Sequence, residues 1–226
     1  AYRGAYNKTA APTFASYSIN EAVKRAGIDS ADIDDVVLGC AQQQGSQALN
    51  IGRLAGIAAG LPQTVSGMTI DRQCSSGMMA IATASKQIIT DNMDVVVAGG
   101  VESISLVQTA EMRLEIDPQV SSNAKHAYMP MIETADLVAS KYNITRESQD
   151  EYSLQSQLRT AAAQESGIFK DEIITTTTTK LVKDKSTGEI TEQEVTLEKD
   201  EGNRPETNLE GLSTLVPVYG EGKFIT

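Results

Sequence analysis

The sequence predicts an α/β fold with a mostly parallel sheet, and two observations carry that prediction. Short apolar runs at 36–40, 65–70 and 94–98 alternate with longer segments of helical periodicity. The runs at 36–40 and 94–98 are apolar almost throughout, as strands covered on both faces are, instead of alternating as strands with one wet face do. Strands and helices in this rhythm are joined by right-handed crossovers that lay the helices on the faces of the sheet.

The elements follow in chain order. After the loop Gly4-Ala5-Tyr6-Asn7, the residues Phe14, Tyr17, Ile19, Ala22, Val23 and Ala26 fall at helical spacing over 13–26, and Gly27 is placed to close that helix. Val36-Val37-Leu38-Gly39-Cys40, bounded by Asp35 and a Gln-rich loop, predicts the first strand. Asn50 can cap a helix reaching to Gly60. Residues 65–70 give the second strand, which empties through Asp71-Arg72-Gln73 into a helix running from Cys74 or Ser75 to about Thr90. In that helix Met78, Met79, Ile81, Ala82, Ala84, Ile88 and Ile89 cover nearly all sides, so the pattern predicts a buried helix. The third strand, 94–98, ends at Gly99-Gly100, where two glycines suit close packing.

Beyond residue 102 the pattern becomes more polar. Helices are predicted at 133–142 and 146–166, a Thr-rich strand at 173–179, and a solvated hairpin over 180–197 around Ser186-Thr187-Gly188-Glu189. The threonines at 175–179 belong in an exposed strand, because a β-branched side chain packs well on a pleated surface. Residues 200–213, with Gly202, Pro205 and Gly211, read as a long loop or a linker.

Composition narrows the possible roles. The 226 residues carry 19 Lys plus Arg against 30 Asp plus Glu, a formal net charge of -11, so no basic field attracts nucleic acid or an anionic membrane. An anionic ligand would need a local cationic patch. No run of about 18 apolar residues is long enough to span a bilayer, and the N-terminus lacks the pattern of a signal peptide. Two cysteines, Cys40 and Cys74, are too few for a disulfide framework and point to a reducing compartment. With no CxxC pair, no metal site is predicted.

The chemistry concentrates at Cys74. A strand that turns directly into a helix opened by this residue would place its sulfur where backbone N–H groups lack internal partners and present about half a positive charge. A thiolate there is stabilised, and the same N–H groups can steady an oxyanion. The small Ser75, Ser76 and Gly77 leave room for a carbonyl to approach. The competing reading is a small buried apolar residue, since free cysteine is among the most buried types, and pattern alone leaves the two readings open. His126, the only histidine, falls in a polar segment and reads as a solvated loop residue. Cys40 reads as a buried strand residue, and Arg72 as one partner of a structural ion pair.

The string Thr69-Ile70-Asp71-Arg72-Gln73-Cys74-Ser75-Ser76-Gly77-Met78 closely resembles the nucleophile region of the thiolase family, and Gly99-Gly100-Val101-Glu102-Ser103-Ile104-Ser105 resembles its glycine-rich signature. Met129-Pro130-Met131-Ile132-Glu133-Thr134-Ala135 and Ile144-Thr145-Arg146-Glu147-Ser148-Gln149-Asp150 are similar to the family's loop domain. Gly220-Glu221-Gly222 is similar to the entry to its C-terminal half. The resemblance implies a thiolase-like layered α/β fold: an N-terminal half over 1–102 lacking its first strand, a loop domain covering coenzyme A over 103–212, and the start of the C-terminal half over 213–226.

The resemblance further implies acyl transfer between a 3-ketoacyl-CoA and CoA, giving acetyl-CoA and a shortened acyl-CoA, or the reverse condensation. The acyl group is held on Cys74 between two easier steps. Met131 matches a residue near the pantetheine and Arg204 a contact to the nucleotide, with coenzyme A a substrate and no separate cofactor. A role in fatty acid metabolism such as β-oxidation, a cytoplasmic setting with organelle import left open, and a homodimer or homotetramer are expected on the same ground. The family's C-terminal Gly-His-Pro histidine, Asn-Glu-Ala segment and second, acid/base cysteine have no counterpart in these residues, so the chain alone is expected to be inactive. A β-ketoacyl synthase-like condensing enzyme and a non-catalytic acyl-CoA binding relative stand as alternatives.

Overall fold

A computed structural model describes residues 2–112 and 114–226. The chain divides into two compact units, Ala1–Met112 with Ile174–Glu201, and Arg113–Ile173 with Gly202–Thr226.

The first unit is organised by three parallel strands. Helix α1 (Ala11–Ala26) ends as the sequence predicts: Gly27 takes φ 65°, and its N–H donates to the carbonyls of Val23 and Lys24. Strand β1 (Asp35–Gly39) follows, buried along its whole length. Helix α2 (Ile51–Ala58) is capped by Asn50, whose Oδ1 accepts from the Arg53 N–H at 3.2 Å while its Nδ2 donates to the Gly67 carbonyl at 2.6 Å. One side chain therefore starts the helix and fastens it to the next strand, β2 (Ser66–Ile70). Helix α3 (Ser76–Thr90), strand β3 (Val96–Gly100) and the short α4 (Ile104–Val107) complete this part.

The strand order is β2-β1-β3. Gly39 is level with both Ile70 and Gly100, so all three strands finish at one edge. Strand β1, apolar from Val36 to Leu38, is thus central and covered on both faces. Val36 and Leu38 join Ala11, Ile19, Ile51, Ala55 and Val65 on one side, whereas Val37 meets Ala80 and Ala84 of α3 on the other. Each large apolar side chain buried in this way contributes about 1.5–3 kcal/mol.

Helix α3 departs from the prediction that it is covered all round. Its Ala80 and Ala84 are buried against the sheet, but Met78, Ile81 and Ile89 on its other sides are 76%, 56% and 77% exposed. Its small residues meet the strands, while Met78, Ile81 and Ile89 have no covering layer among the described residues.

The Thr-rich strand is β4 (Thr176–Lys183), and it pairs antiparallel with β5 (Ile190–Leu197). This hairpin belongs to the first unit. The reason lies in the loop before α1. Asn7 acts as an added piece of strand: its Nδ2 donates to the Leu181 carbonyl and its Oδ1 accepts from the Leu181 N–H, both at 2.8 Å. The Thr9 and Thr178 hydroxyls are 2.6 Å apart, and the Tyr6 hydroxyl is bonded to that of Thr176. At the hairpin turn, Asp184 Oδ1 accepts from the Ser186 hydroxyl at 2.6 Å and from the N–H groups of Ser186 and Thr187 at 2.7 and 2.8 Å. These bonds, the Ser186 hydroxyl foremost, hold its carboxyl down at about 2.

The second unit is helical: α5 (Pro118–Asn123), α6 (Met131–Tyr142), α7 (Arg146–Glu165) and α8 (Leu209–Ser213). Helical periodicity predicts α6 and α7 to within two residues of their ends, whereas α5 and α8 fall in segments that read as loop. Both unread helices are short and start from Asx caps, Asp117 and Asn208, amid polar residues that show no apolar period. Arg146 organises the unit. Its Nε pairs with Asp150 at 2.7 Å, and its two terminal nitrogens donate to the carbonyls of Leu215 and Leu212.

Candidate active site

The site is built where the three parallel strands end. In open α/β sheets ligands collect at the carboxyl ends of the strands. Helix α3 starts almost in contact with the sheet: a Cβ added to Gly39 would lie 2.2 Å from the Ser76 carbonyl carbon, and one added to Gly100 would lie 3.3 Å from the Gly77 Cα. Glycine in the strand ends is what permits this approach. The four-residue path from Ile70 to the residue preceding the helix cap must therefore climb steeply, and Cys74 is carried on it.

That path is a tight turn stitched by hydrogen bonds. Gln73 adopts φ 48°, a left-handed conformation that side chains other than glycine rarely take. Asp71 Oδ1 accepts from the Gln73 N–H at 2.8 Å. The Arg72 carbonyl accepts from the Ser75 N–H at 3.1 Å and hydroxyl at 3.0 Å. The Ser76 hydroxyl, in a residue 4% exposed, accepts from the Arg72 N–H at 2.8 Å and donates to the Gln73 carbonyl at 2.6 Å.

Cys74 itself is exposed. It precedes the cap residue Ser75, so the helix opens at Ser76 and not at the cysteine. The N–H groups of Ser75 and Ser76 are taken by the carbonyls of Arg72 and Gln73, so these two do have partners, against the expectation that the N–H groups at the helix start lack them. The positive end of the helix dipole still lies beside Cys74. A cleft of about 510 Å³ opens there, lined by Cys74, Gln73, Gly77, Gln42, Glu102 and Ile104 among others. A thiol at the wall of such a cleft can meet a thioester carbonyl from solvent.

The other cysteine is chemically its opposite. Cys40, 1% exposed, follows the end of β1. Gln47 Nε2 donates to its sulfur at 3.3 Å, and Sγ lies 3.8 Å from Glu102 Oε1. Burial first, and then the Glu102 carboxylate, push the Cys40 thiol up to about 12, so it stays protonated at neutral pH. Cys40 is buried as expected, but it lies one residue beyond the strand.

Glu102 was given no role by the sequence reading, yet it ties the cleft together. Its Oε2 accepts from the Ala41 N–H at 2.9 Å and its Oε1 from the Gln42 N–H at 3.3 Å, with Gln47 Nε2 also bonded to it. Gln47 in turn donates to the Gln42 carbonyl at 2.8 Å and accepts from the Ser103 N–H. The loops that leave β1 and β3 are thereby joined through one carboxylate and one amide. The available signal was an ionisable residue between Val101 and Ser103 at a buried strand end.

Met131 and Arg204 lie in the second unit. Met131 opens α6 and is 70% exposed. Arg204 is exposed on a segment pinned by Gln157, whose Oε1 accepts from the Arg204 N–H at 2.8 Å and whose carbonyl accepts from Asn203 Nδ2 at 2.9 Å. His126 is exposed in a turn of the same unit, as the sequence reading held. Arg72 is a correction: it makes no ion pair among the described residues, and its backbone alone serves the turn.

No helix of the described residues is long and apolar enough to cross a membrane. The family pattern described as "Thiolase, N-terminal domain" matches residues 1–226. The chain is 38% identical over 210 residues to the 3-ketoacyl-CoA thiolase of Bacillus subtilis, covering 92% of this chain and 53% of that protein. It is 38% identical over 245 residues to the 3-oxoadipyl-CoA/3-oxo-5,6-dehydrosuberyl-CoA thiolase of Escherichia coli, covering 100% of this chain and 58% of that protein. The crystal structure of the Bacillus anthracis acetyl-CoA acetyltransferase matches it with a TM-score of 0.78 and 36% identity, over 100% of this chain and 57% of that one. The chain thus spans little more than half the length of these relatives. A parallel sheet ending beneath a cysteine-bearing turn, matched from first residue to last by one family, places the chain in the thiolase family, where it corresponds to the N-terminal domain.

Proposed function

We propose that this chain supplies the nucleophile of a thiolase acting on 3-ketoacyl-CoA thioesters, with Cys74 as the acyl acceptor. The observation that carries the reading is the contrast of thiols: Cys74 is exposed in a cleft beside a helix N-terminus, whereas Cys40 is buried and held protonated. In the transfer step the Cys74 thiolate attacks the thioester carbonyl. A new sulfur–carbon bond forms, the carbon–sulfur bond to CoA breaks, and CoA leaves with the electron pair and takes up a proton. That exchange applies to acetyl-CoA. In thiolysis the Cys74 thiolate attacks the 3-keto carbon instead: a sulfur–carbon bond forms as the bond between the α and β carbons breaks, and acetyl-CoA leaves with that electron pair and takes up a proton at its α carbon. A second CoA thiolate then attacks the acyl-cysteine carbonyl and releases the Cys74 sulfur.

Met131 and Arg204 are proposed as contacts to the pantetheine and the nucleotide, an exposed thioether and an exposed guanidinium suiting an apolar chain and a phosphate-bearing group. Turnover is assigned to the protein with its remaining acid/base groups, as a homodimer or homotetramer, and not to these 226 residues alone. The test is incubation of the full-length protein with acetyl-CoA, followed by peptide mass spectrometry. One acetyl group at Cys74, lost in Cys74→Ser, is the expected result; acetylation elsewhere, or none, overturns the reading.

A further inference from the structure

Resting on the reading of Cys74 as the acyl acceptor, we propose that Ser76 is a positioning residue whose buried hydroxyl clamps the Arg72–Gln73 turn in its left-handed form and so presents Cys74 to the cleft. Three features of the geometry converge on it. The hydroxyl spans both ends of one peptide segment, accepting from the Arg72 N–H at 2.8 Å and donating to the Gln73 carbonyl at 2.6 Å. Its own backbone is immobilised, because the Ser76 carbonyl group lies where a Cβ on Gly39 would be, 2.2 Å away for the carbon. The residue it restrains, Gln73 at φ 48°, holds a conformation that a glutamine left to itself gives up.

The chemical consequence falls on Cys74, the next residue along. If the turn relaxes to the right-handed or extended region, the peptide before Cys74 rotates and the sulfur leaves its place beside the start of α3. The hydroxyl never touches substrate in this account; it acts through the backbone. Asp71 contributes a weaker second tie, its Oδ1 accepting from the Gln73 N–H at 2.8 Å from an exposed position.

The account makes a distinctive prediction, because glycine adopts positive φ without steric cost. In the full-length protein, Ser76→Ala is expected to slow acetylation of Cys74 by acetyl-CoA, and its alkylation by iodoacetamide, at least tenfold. The slowing caused by Ser76→Ala should be at least tenfold in the Gln73 background but no more than about twofold when both proteins compared carry Gln73→Gly. A hydroxyl that only fills space would show no such rescue. Unchanged rates in a folded Ser76→Ala protein, or a loss that Gln73→Gly fails to repair, overturn the proposal.

Should Ser76→Ala fail to fold, Asp71→Ala reports on the same turn without opening a cavity. It is expected to slow both reactions about threefold and to be rescued by the same glycine; no effect, or no rescue, counts against the clamp. Iodoacetamide alkylation reads the sulfur whether or not the protein is a thiolase. A wild-type protein that alkylates but never acetylates therefore defeats the function above and leaves the clamp to be judged on alkylation alone.

Discussion

The ends of β1 and β2 are adjacent, parallel and level, and a cysteine follows each, yet the two thiols are prepared for opposite fates. Cys40 continues straight out of β1 into a pocket closed by Gln47 and Glu102, where the surroundings penalise a negative sulfur. Cys74 is lifted off the end of β2 by a left-handed residue and a serine clamp, into a cleft beside a helix N-terminus. A place at the carboxyl edge of a parallel sheet thus does not by itself set the surroundings of a thiol. What matters is which groups the next few residues set against the sulfur: a carboxylate and burial in one case, solvent and a helix dipole in the other.

The largest effect that would break this contrast is chemical. Cys74→Ser is expected to abolish acyl labelling by acetyl-CoA, and Cys40→Ala to leave it intact; label retained in the first or lost in the second, read by mass spectrometry, would collapse the distinction. In Cys74→Ser the remaining Cys40 should resist a thiol reagent at pH 8 until denaturant is added.

Next in size is the packing that holds the two regions together. Gly39→Ala puts a methyl into the Ser76 carbonyl and is expected to cost at least about 1–3 kcal/mol, visible as a lowered urea midpoint. Because the strain falls on the first turn of α3, Cys74 alkylation should change as well. A variant as stable as the parent would mean that the helix start has room to move.

Glu102→Ala strips a partner from the N–H groups of Ala41 and Gln42 and from Gln47, for an expected loss of about 1–3 kcal/mol. It should also make Cys40 more readily ionised, since a carboxylate no longer faces it. The alkylation rate of Cys40 at alkaline pH, measured in a Cys74→Ser background, should rise; no rise would show that burial alone governs this thiol.

The smallest effect is a pH dependence confined to the alkaline limb. An unfolded thiol loses its proton near 9, whereas folded Cys40 holds it until about 12. The folded state therefore binds more protons between those values, and stability declines as pH rises from 9 towards 12 while remaining whole below 9. Comparing urea midpoints of the parent and Cys40→Ala from pH 8 to 11 cancels the groups the two share. The parent should fall more steeply, and parallel curves would contradict the assignment.

The sequence alone carries the parallel sheet, its strands and crossovers, and the caps at Gly27 and Asn50, because each rests on periodicity or local turn chemistry, and a contiguous motif singles out Cys74 as the candidate to be tested. It also carried the family. Tertiary structure alone decided the rest. The length of the Gln73 turn, and hence the start of α3 at Ser76, depends on how closely Gly39 of a different strand lets the helix approach. The network brings Glu102 to Gln47 and Cys40, 55 and 62 positions away, which no local pattern records. The attachment of the hairpin to the loop at 6–9 depends on side-chain bonds across some 170 residues. Periodicity reports which face of an element is apolar; it carries no information about what covers that face, and so the open sides of α3 could not be read from its sequence.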